Sequence, residues 1–139
     1  MEHTDFKETD IEEYLNIVCI LISKGKRTLE ITKNHKIRKK NLKFMRKYKL
    51  KEKDIDDLMK SLTTKDFCYA LEEENIIFSD EKLFVFCKHK KLDSFGISEI
   101  VDIYIKLKKH TLKDDNEIVL YMSFHEMEKD ITYLFRGKN

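Results

Sequence analysis

Apolar residues in the first part of the chain recur at the three- and four-residue spacing of an amphipathic helix. The residues on this stripe are Ile11, Tyr14, Leu15, Val18, Leu21 and Ile22. Thr9 is followed three residues later by Glu12, which has the form of a capping box. Gly25 suits the end of a helix because it adopts the left-handed conformation freely. We therefore predict a first helix over about residues 10–24.

The same spacing predicts two further helices, over about residues 35–48 and 52–62. The inward residues of the second helix are Ile37, Leu42, Met45 and Tyr48, with Lys and Arg outward. The inward residues of the third helix are Ile55, Leu58, Met59 and Leu62. Residues 26–34 favour neither a helix nor a strand. A turn over residues 63–66 is expected to open another short helical piece near Phe67.

From residue 83 onward the hydrophobic pattern changes to the period of β-strands. The run 83–87 is apolar on both sides, which suits a central strand. Residues 100–108 and 117–125 alternate between apolar and polar, and turn residues lie between them. The predicted fold class is α+β: helices over about residues 1–80 followed by a small antiparallel sheet over about 81–139. We expect a single domain, since no repeat or linker divides the chain.

The register of the predicted hairpin follows from collecting its apolar residues on one face. This is achieved when Lys109 lies opposite Asn116, because Ile103, Ile105 and Leu107 then face Met122, Leu120 and Ile118. The polar face of the hairpin would carry Tyr104, Lys106, Tyr121, Ser123 and His125. In this register Tyr104 lies opposite Tyr121.

Composition narrows the class of protein. Hydrophobic residues make up 41% of the 139, which excludes a disordered chain, and no apolar run reaches the roughly 18 residues of a membrane-spanning helix. Cys19, Cys68 and Cys87 are widely spaced, so we interpret them as free thiols. The scattered His35, His89 and His110 suggest no metal site. A protein of the cytoplasm that does not associate with membranes is expected.

Positive charge is concentrated in one part of the chain. Residues 24–53 contain 14 Lys and Arg against two acidic residues, although the formal net charge of the chain is only +2. A basic segment of this kind attracts polyanions such as nucleic acids. A solvated lysine-rich helix face explains the same pattern equally well.

Five short sequence motifs occur in a fixed order over about residues 40–128. Together they resemble the MqsR family of toxins from bacterial type II toxin–antitoxin modules. The five motifs are Asn41-Leu42-Lys43-Phe44, Ser61-Leu62-Thr63-Thr64-Lys65-Asp66-Phe67, Leu83-Phe84-Val85-Phe86, Ile103-Tyr104-Ile105-Lys106-Leu107 and Ser123-Phe124-His125-Glu126. The resemblance implies a RelE-like fold and cleavage of mRNA without a metal ion or other cofactor. It also implies inhibition by a cognate antitoxin protein, and leaves open whether the ribosome takes part.

The resemblance identifies three candidate catalytic residues in this sequence. The family's Tyr-x-Lys strand falls on Tyr104 and Lys106, and the basic residue that follows its Ser-Phe pair falls on His125. A lysine that the family has shortly after its Asp-Phe pair is replaced here by Tyr69. This departure puts one phosphate contact in doubt.

Metal-independent RNA cleavage needs a base for the 2′-hydroxyl, an acid for the leaving 5′-oxygen and a cation for the developing charge. We assign His125 as acid or base, Lys106 as charge stabiliser and Tyr104 as positioner or proton donor. The candidate RNA contacts are Lys88, Lys90 and Arg136 for phosphates, and Tyr69 and Tyr121 for base stacking. Without the resemblance, the same residues are more typical of an ordinary solvated strand face than of a catalytic site.

Two other functions remain open. One is a non-catalytic nucleic-acid-binding regulator that uses the basic helix at 36–49 to lie along phosphates. The other is a protein-binding module whose basic helices dock an acidic partner. The three glycines, at positions 25, 96 and 137, exclude both a dinucleotide-binding GxGxxG and a Walker loop.

Overall fold

Three helices pack on one face of a six-stranded mixed sheet in the computed structural model, which describes residues 2–30, 38–72 and 81–136. The elements are β1 (Glu2–His3), α1 (Glu8–Ser23), β2 (Arg27–Leu29), α2 (Arg38–Lys47), α3 (Glu52–Lys60), a 3₁₀ turn (Thr64–Asp66), β3 (Phe67–Leu71), β4 (Leu83–Ser94), β5 (Ile97–Thr111) and β6 (Glu117–Glu126). The strand order is β1-β3-β4-β5-β6-β2. Among the described strands, only the edge pairing of β2 with β6 is parallel. The α+β class is confirmed, and the sheet is larger than predicted.

Helix α1 begins two residues before its predicted start. The backbone N–H of Lys7 donates to Asp10 Oδ2 at 2.8 Å, so Lys7 occupies the N-cap position. Thr9 therefore lies inside the first turn, and the prediction that it caps the helix is wrong. The carboxylate that bonds the N-cap backbone is Asp10 rather than Glu12. The predicted apolar stripe is confirmed, because all six of its residues are buried.

The buried face of α2 is rotated from the predicted one. Its buried residues are Asn41 and Phe44, with Tyr48 just beyond its end. Leu42 and Met45 are only half-buried, and the predicted inward Ile37 lies outside the described residues. The reason is a polar contact that apolar periodicity does not register. The amide oxygen of Asn41 accepts a hydrogen bond from the backbone N–H of Phe124 at 3.0 Å and so turns this face toward β6.

The third helix is confirmed, with all of its predicted inward residues buried. The short helical piece predicted near Phe67 is present only as the 3₁₀ turn Thr64–Asp66, which leads directly into strand β3. Residues 67–70 are all buried, and β3 pairs with the central strand β4. The division into a helical part before residue 80 and a sheet part after it is therefore wrong. Three strands of the sheet come from the first part.

The predicted hairpin of β5 and β6 is present but its register differs. Lys109 lies opposite Val119 rather than Asn116. Between the pairs Leu107–Tyr121 and Lys106–Ser123 the register shifts by one residue, which makes Met122 the extra residue of a β-bulge. The bulge changes which residues of β6 face the helices. Tyr121 is therefore in the core and not on the polar face opposite Tyr104.

The core lies between the helices and one face of the sheet. Its fully buried sheet residues are Phe67, Phe86, Ile103, Ile105, Leu107, Val119, Tyr121 and Phe124. The opposite face carries a smaller buried cluster of Cys68, Tyr69, Val85 and Cys87. Residues of the segment 127–136 pack against that cluster, so this second face is partly covered. Within the described ranges, no helix is long and apolar enough to span a membrane.

Phe95 occupies a conformation that aromatic residues rarely adopt. It forms a two-residue turn between β4 and β5 with Gly96, and both residues have positive φ, at 51° and 81°. The Phe95 side chain is 88% exposed, so burial does not offset the strain of its backbone. We expect Phe95→Asn, a residue that tolerates this region, to stabilise the fold by about 0.5–1 kcal/mol. Urea denaturation would measure this, and an unchanged or lower midpoint would contradict it.

Candidate functional site

The second face of the sheet brings together the three residues that were predicted to be catalytic. Tyr104 of β5 lies directly opposite His125 of β6, and their rings stack with centroids 5.1 Å apart at an interplanar angle of 19°. Lys106 lies two residues along β5 on the same face, with Nζ 5.9 Å from the centroid of the Tyr104 ring. The catalytic roles of the three residues remain predictions, but their proximity is a property of the fold.

The phenol of Tyr104 is held in its protonated form. Burial raises the pKa of Tyr104 far above its ordinary value, and a hydrogen bond with the Tyr69 side chain acts in the same direction. The negative charge of Glu2 raises the pKa further. Tyr104 can therefore donate a proton or a hydrogen bond near neutral pH, and it cannot act as a base.

The surroundings of His125 determine the tautomer of its neutral ring. Nδ1 lies 2.9 Å from the backbone oxygen of Glu126. Because a carbonyl oxygen only accepts hydrogen bonds, Nδ1 must carry the proton of this contact. Nε2 of the neutral ring is then the unprotonated nitrogen and can accept a proton. This arrangement favours the role of base among the two that the sequence allowed for His125.

His125 also lines a cavity of about 400 Å³ between the end of β6 and helix α2. The helix contributes Lys40, Lys43, Phe44 and Lys47 to this cavity, and the strand end contributes Glu126 and Glu128. Lys40 pairs with Glu128 at 2.9 Å, whereas Lys43 forms no ion pair within the described ranges. Helix α2 contains no acidic residue. Lys43 therefore gives the cavity one cation that no carboxylate of the described ranges neutralises, beside the imidazole.

Both residues that were predicted to stack on RNA bases are buried. Tyr121 is fully buried, so the prediction that it stacks on RNA is wrong. Its hydroxyl donates to Asp56 Oδ1 at 2.6 Å, and Arg27 Nε donates to the same oxygen at 3.0 Å. Burial and the contact with Asp56 raise the pKa of Tyr121 far above its ordinary value. Tyr69 is 6% exposed and acts on the site through its contact with Tyr104.

The predicted phosphate contacts do not surround His125. Lys88 lies on the helix-facing side of β4, where its ammonium group is 3.2 Å from Asp66 Oδ2 and 3.1 Å from the backbone oxygen of Ser61. Arg136 donates to the backbone oxygen of Lys65 at 2.8 Å and lies on the other side of Asp66. These two cations neutralise a buried carboxylate. Lys90 is exposed on the outer part of β4.

Sequence reasoning missed a second histidine on this face. His89 of β4 lies opposite Asp102 of β5, and Nδ1 contacts the Asp102 carboxylate. The hydroxyl of Tyr133 lies 3.2 Å from His89 Nε2. No spacing in the sequence indicates this group, because it depends on the β4–β5 register and on the return of residues 127–136 across the sheet. Within the part of the chain described, no cluster of three metal-ligating side chains is present.

Comparison with known proteins gives no further assignment. No protein-family model, no curated protein and no solved structure matches this chain significantly. The functional interpretation is therefore based on the geometry of the sheet face and on the five sequence motifs.

Proposed function

We propose that the protein is the toxin of a type II toxin–antitoxin module, similar to the MqsR family, and that it is a metal-independent endoribonuclease acting on mRNA. The observation that carries the proposal is the stack of Tyr104 on His125 beside the cavity lined by lysines of α2. On this proposal the helices and mixed sheet are a variant of the RelE-like fold, and the protein acts in the cytoplasm.

The proposed reaction uses the substrate's own 2′-hydroxyl as nucleophile. His125 Nε2 takes the proton of that hydroxyl, and the oxygen attacks the adjacent phosphorus to form a 2′,3′-cyclic phosphate. Tyr104 protonates the departing 5′-oxygen. A raised pKa keeps this phenol protonated until the leaving alkoxide, a much stronger base, develops. The ammonium group of Lys106 stabilises the additional negative charge of the phosphorane.

The proposal includes a protein partner. A cognate antitoxin that carries acidic residues would bind α2 and cover His125, because the exposed cations of the helix border the imidazole cavity. The same cations would hold the phosphates of mRNA, free or on the ribosome. Antitoxin and RNA would then compete for one surface.

Cleavage of a mixed-sequence RNA in excess chelator tests the activity. We expect fragments that end in 2′,3′-cyclic phosphate and begin with a 5′-hydroxyl. Ribosome-bound mRNA should be assayed in parallel, since the substrate of a toxin can require that context. Fragments with 3′-hydroxyl ends, or intact RNA in both assays, would contradict the proposal.

A second candidate function is nucleic-acid binding without catalysis, and the surface of α2 favours it. The exposed cations of the helix are Lys39, Lys40, Lys43, Arg46 and Lys47. Removing one cation that binds a phosphate lowers the salt slope of single-strand binding by about 0.7. We expect Lys39→Gln, Lys43→Gln and Arg46→Gln together to reduce the slope of log K against log salt by about 2.

The salt dependence is measured by titrating labelled RNA at several salt concentrations. A matched control removes three exposed cations away from α2, by Lys24→Gln, Lys53→Gln and Lys113→Gln, and should leave the slope nearly unchanged. An equal reduction in both triple variants would contradict a binding role for α2. If the α2 variant abolishes every activity while His125→Ala changes none, the protein is a binding regulator.

A further inference from the structure

We propose that the tip of the β4–β5 hairpin is a second contact for the RNA strand, at which the ring of Phe95 stacks on an unpaired base. This inference rests on the proposed function and extends its substrate site from His125 to the tip. Residues 89–102 form the hairpin arm, and none of the five sequence motifs extends into it. The contact would therefore be a feature of this chain that the resemblance does not imply.

The hairpin arm extends beyond the neighbouring strands of the sheet. Strand β3 pairs with β4 only as far as Phe86, and β6 pairs with β5 only from Ile103. The two strands of the arm pair with each other and with no other described strand. At about 3.3 Å per residue, Ile97 lies roughly 23 Å from Tyr104 along β5. A bound RNA strand of several nucleotides would span this distance.

The tip presents an aromatic ring on a strained backbone. Phe95 has a φ of 51° and its side chain is 88% exposed, so neither backbone preference nor burial accounts for an aromatic residue at this position. Strained residues of this kind concentrate at binding and catalytic sites, where the strain is part of the function. A rigid, fully exposed ring is also the platform on which unstacked RNA bases pack.

Two exposed cations beside the ring complement the charge of an RNA strand. Lys90 and Lys91 lie on opposite faces of β4 because successive residues of a strand alternate, and neither forms an ion pair within the described ranges. Asp93 is the only acidic residue between positions 90 and 98. Glu99, on the returning strand, lies 3.9 Å from the ammonium group of Lys47. The phosphates on either side of the stacked base would therefore meet a net positive charge.

The end of helix α2 joins the hairpin arm to the cavity beside His125. Lys47 lines that cavity and also pairs with Glu99 of the arm. The Tyr48 hydroxyl donates to the same carboxylate at 3.0 Å. Leu92 of the arm is buried, so the base of the arm is packed on the domain. An RNA strand that leaves the cavity can therefore follow the cations of α2 toward the tip.

A tryptophan at the tip would report the contact directly. The chain contains no tryptophan, so Phe95→Trp introduces a single fluorescent probe and keeps an aromatic ring at the tip. We expect single-stranded RNA of about twelve nucleotides to quench its fluorescence through stacking on a base, and to bind at least as tightly as to the original protein. Vesicles of anionic phospholipid should leave the emission unchanged.

Removal of the ring should weaken binding. We expect Phe95→Asn to bind the same RNA roughly 5- to 150-fold more weakly, which is the effect of losing one stacked aromatic ring. Because asparagine relieves the strain of this backbone, unfolding cannot explain such a loss. Phe95→Leu keeps an apolar side chain without a planar ring and should lose affinity as well. Leu112→Asn, at the turn between β5 and β6, removes another exposed apolar residue and should bind RNA normally.

The outcomes separate this contact from the ribonuclease proposal. Unchanged affinity of Phe95→Asn, or tryptophan emission that saturating RNA does not quench, would overturn the contact even if RNA is cleaved. Full affinity in Phe95→Leu, or a blue shift with vesicles and no response to RNA, would overturn it in favour of an apolar partner or a membrane. Quenching and loss of affinity as expected, in a protein that cleaves no RNA, would support the contact and overturn the ribonuclease.

Discussion

Replacing His125 with alanine should lower the rate of RNA cleavage by about 10²–10⁴-fold, the usual contribution of a general base. The reason is geometric. The backbone oxygen of Glu126 holds the proton on Nδ1 and leaves Nε2 as the nitrogen that can take the 2′-hydroxyl proton. Binding of RNA should change little, because the exposed lysines of α2 remain. Single-turnover cleavage together with equilibrium RNA binding would measure both effects.

His110→Ala is the matched control for this experiment. His110 lies near the other end of β5, where Nδ1 contacts Glu81 at 2.8 Å. Removing this histidine should leave the cleavage rate within a small factor of the original. Cleavage that persists in His125→Ala at more than about a tenth of the original rate would exclude His125 as the base, since a general base contributes far more than that. Equal losses in both variants would indicate disturbed folding, which thermal unfolding of each would reveal.

Asp56→Ala should destabilise the fold by about 3 kcal/mol, the largest stability effect expected here. Asp56 of α3 accepts hydrogen bonds from Arg27 of β2 and from the Tyr121 hydroxyl of β6. Alanine would leave the buried Tyr121 hydroxyl and the half-buried Arg27 guanidinium without this partner. Both effects make folding less favourable, so unfolding should occur at a lower denaturant concentration.

Two further variants make this stability measurement specific. Tyr121→Phe removes one hydrogen bond but keeps the buried ring, so its cost should be about 1 kcal/mol. Asp57→Ala removes the neighbouring exposed carboxylate and should change stability by less than about 0.5 kcal/mol. If Asp56→Ala were no more destabilising than Asp57→Ala, the network of Arg27, Asp56 and Tyr121 would contribute nothing to the fold.

The local hydrophobic periodicity was sufficient to predict those elements whose buried faces are determined by their own sequence. Helix α1 and helix α3 bury their predicted stripes because each has an uninterrupted apolar face. Strand β3 was missed since Phe67 follows a turn that resembles a helix start, and its pairing with β4 is a tertiary contact. Strand β2 has only three residues and is defined by its partner β6. Pairings of this kind are not encoded within any one segment.

The candidate site was predictable to the extent that it depends on alternation within single strands. Tyr104 and Lys106 share a face of β5 in any register. His125 lies after the bulge at Met122 and so remains on that face, whereas Tyr121 lies before it and turns into the core. A single extra residue in a strand leaves no signature in apolar alternation. The extension of the β4–β5 hairpin was equally hidden, since it depends on where the pairing of β3 and β6 ends.

The parallel pairing of β2 with β6 affects when the protein becomes functional during its synthesis. Arg27 pairs with Val119, about 90 residues later in the chain, and the strand that completes this edge also carries His125. Nascent chains emerge at about 5–20 residues per second, so several seconds pass between the synthesis of β2 and that of its partner β6. Contacts this distant in sequence also slow folding. The sheet face that bears His125 therefore forms only after β6 has left the ribosome, and on the proposed function shorter nascent chains would not cleave RNA.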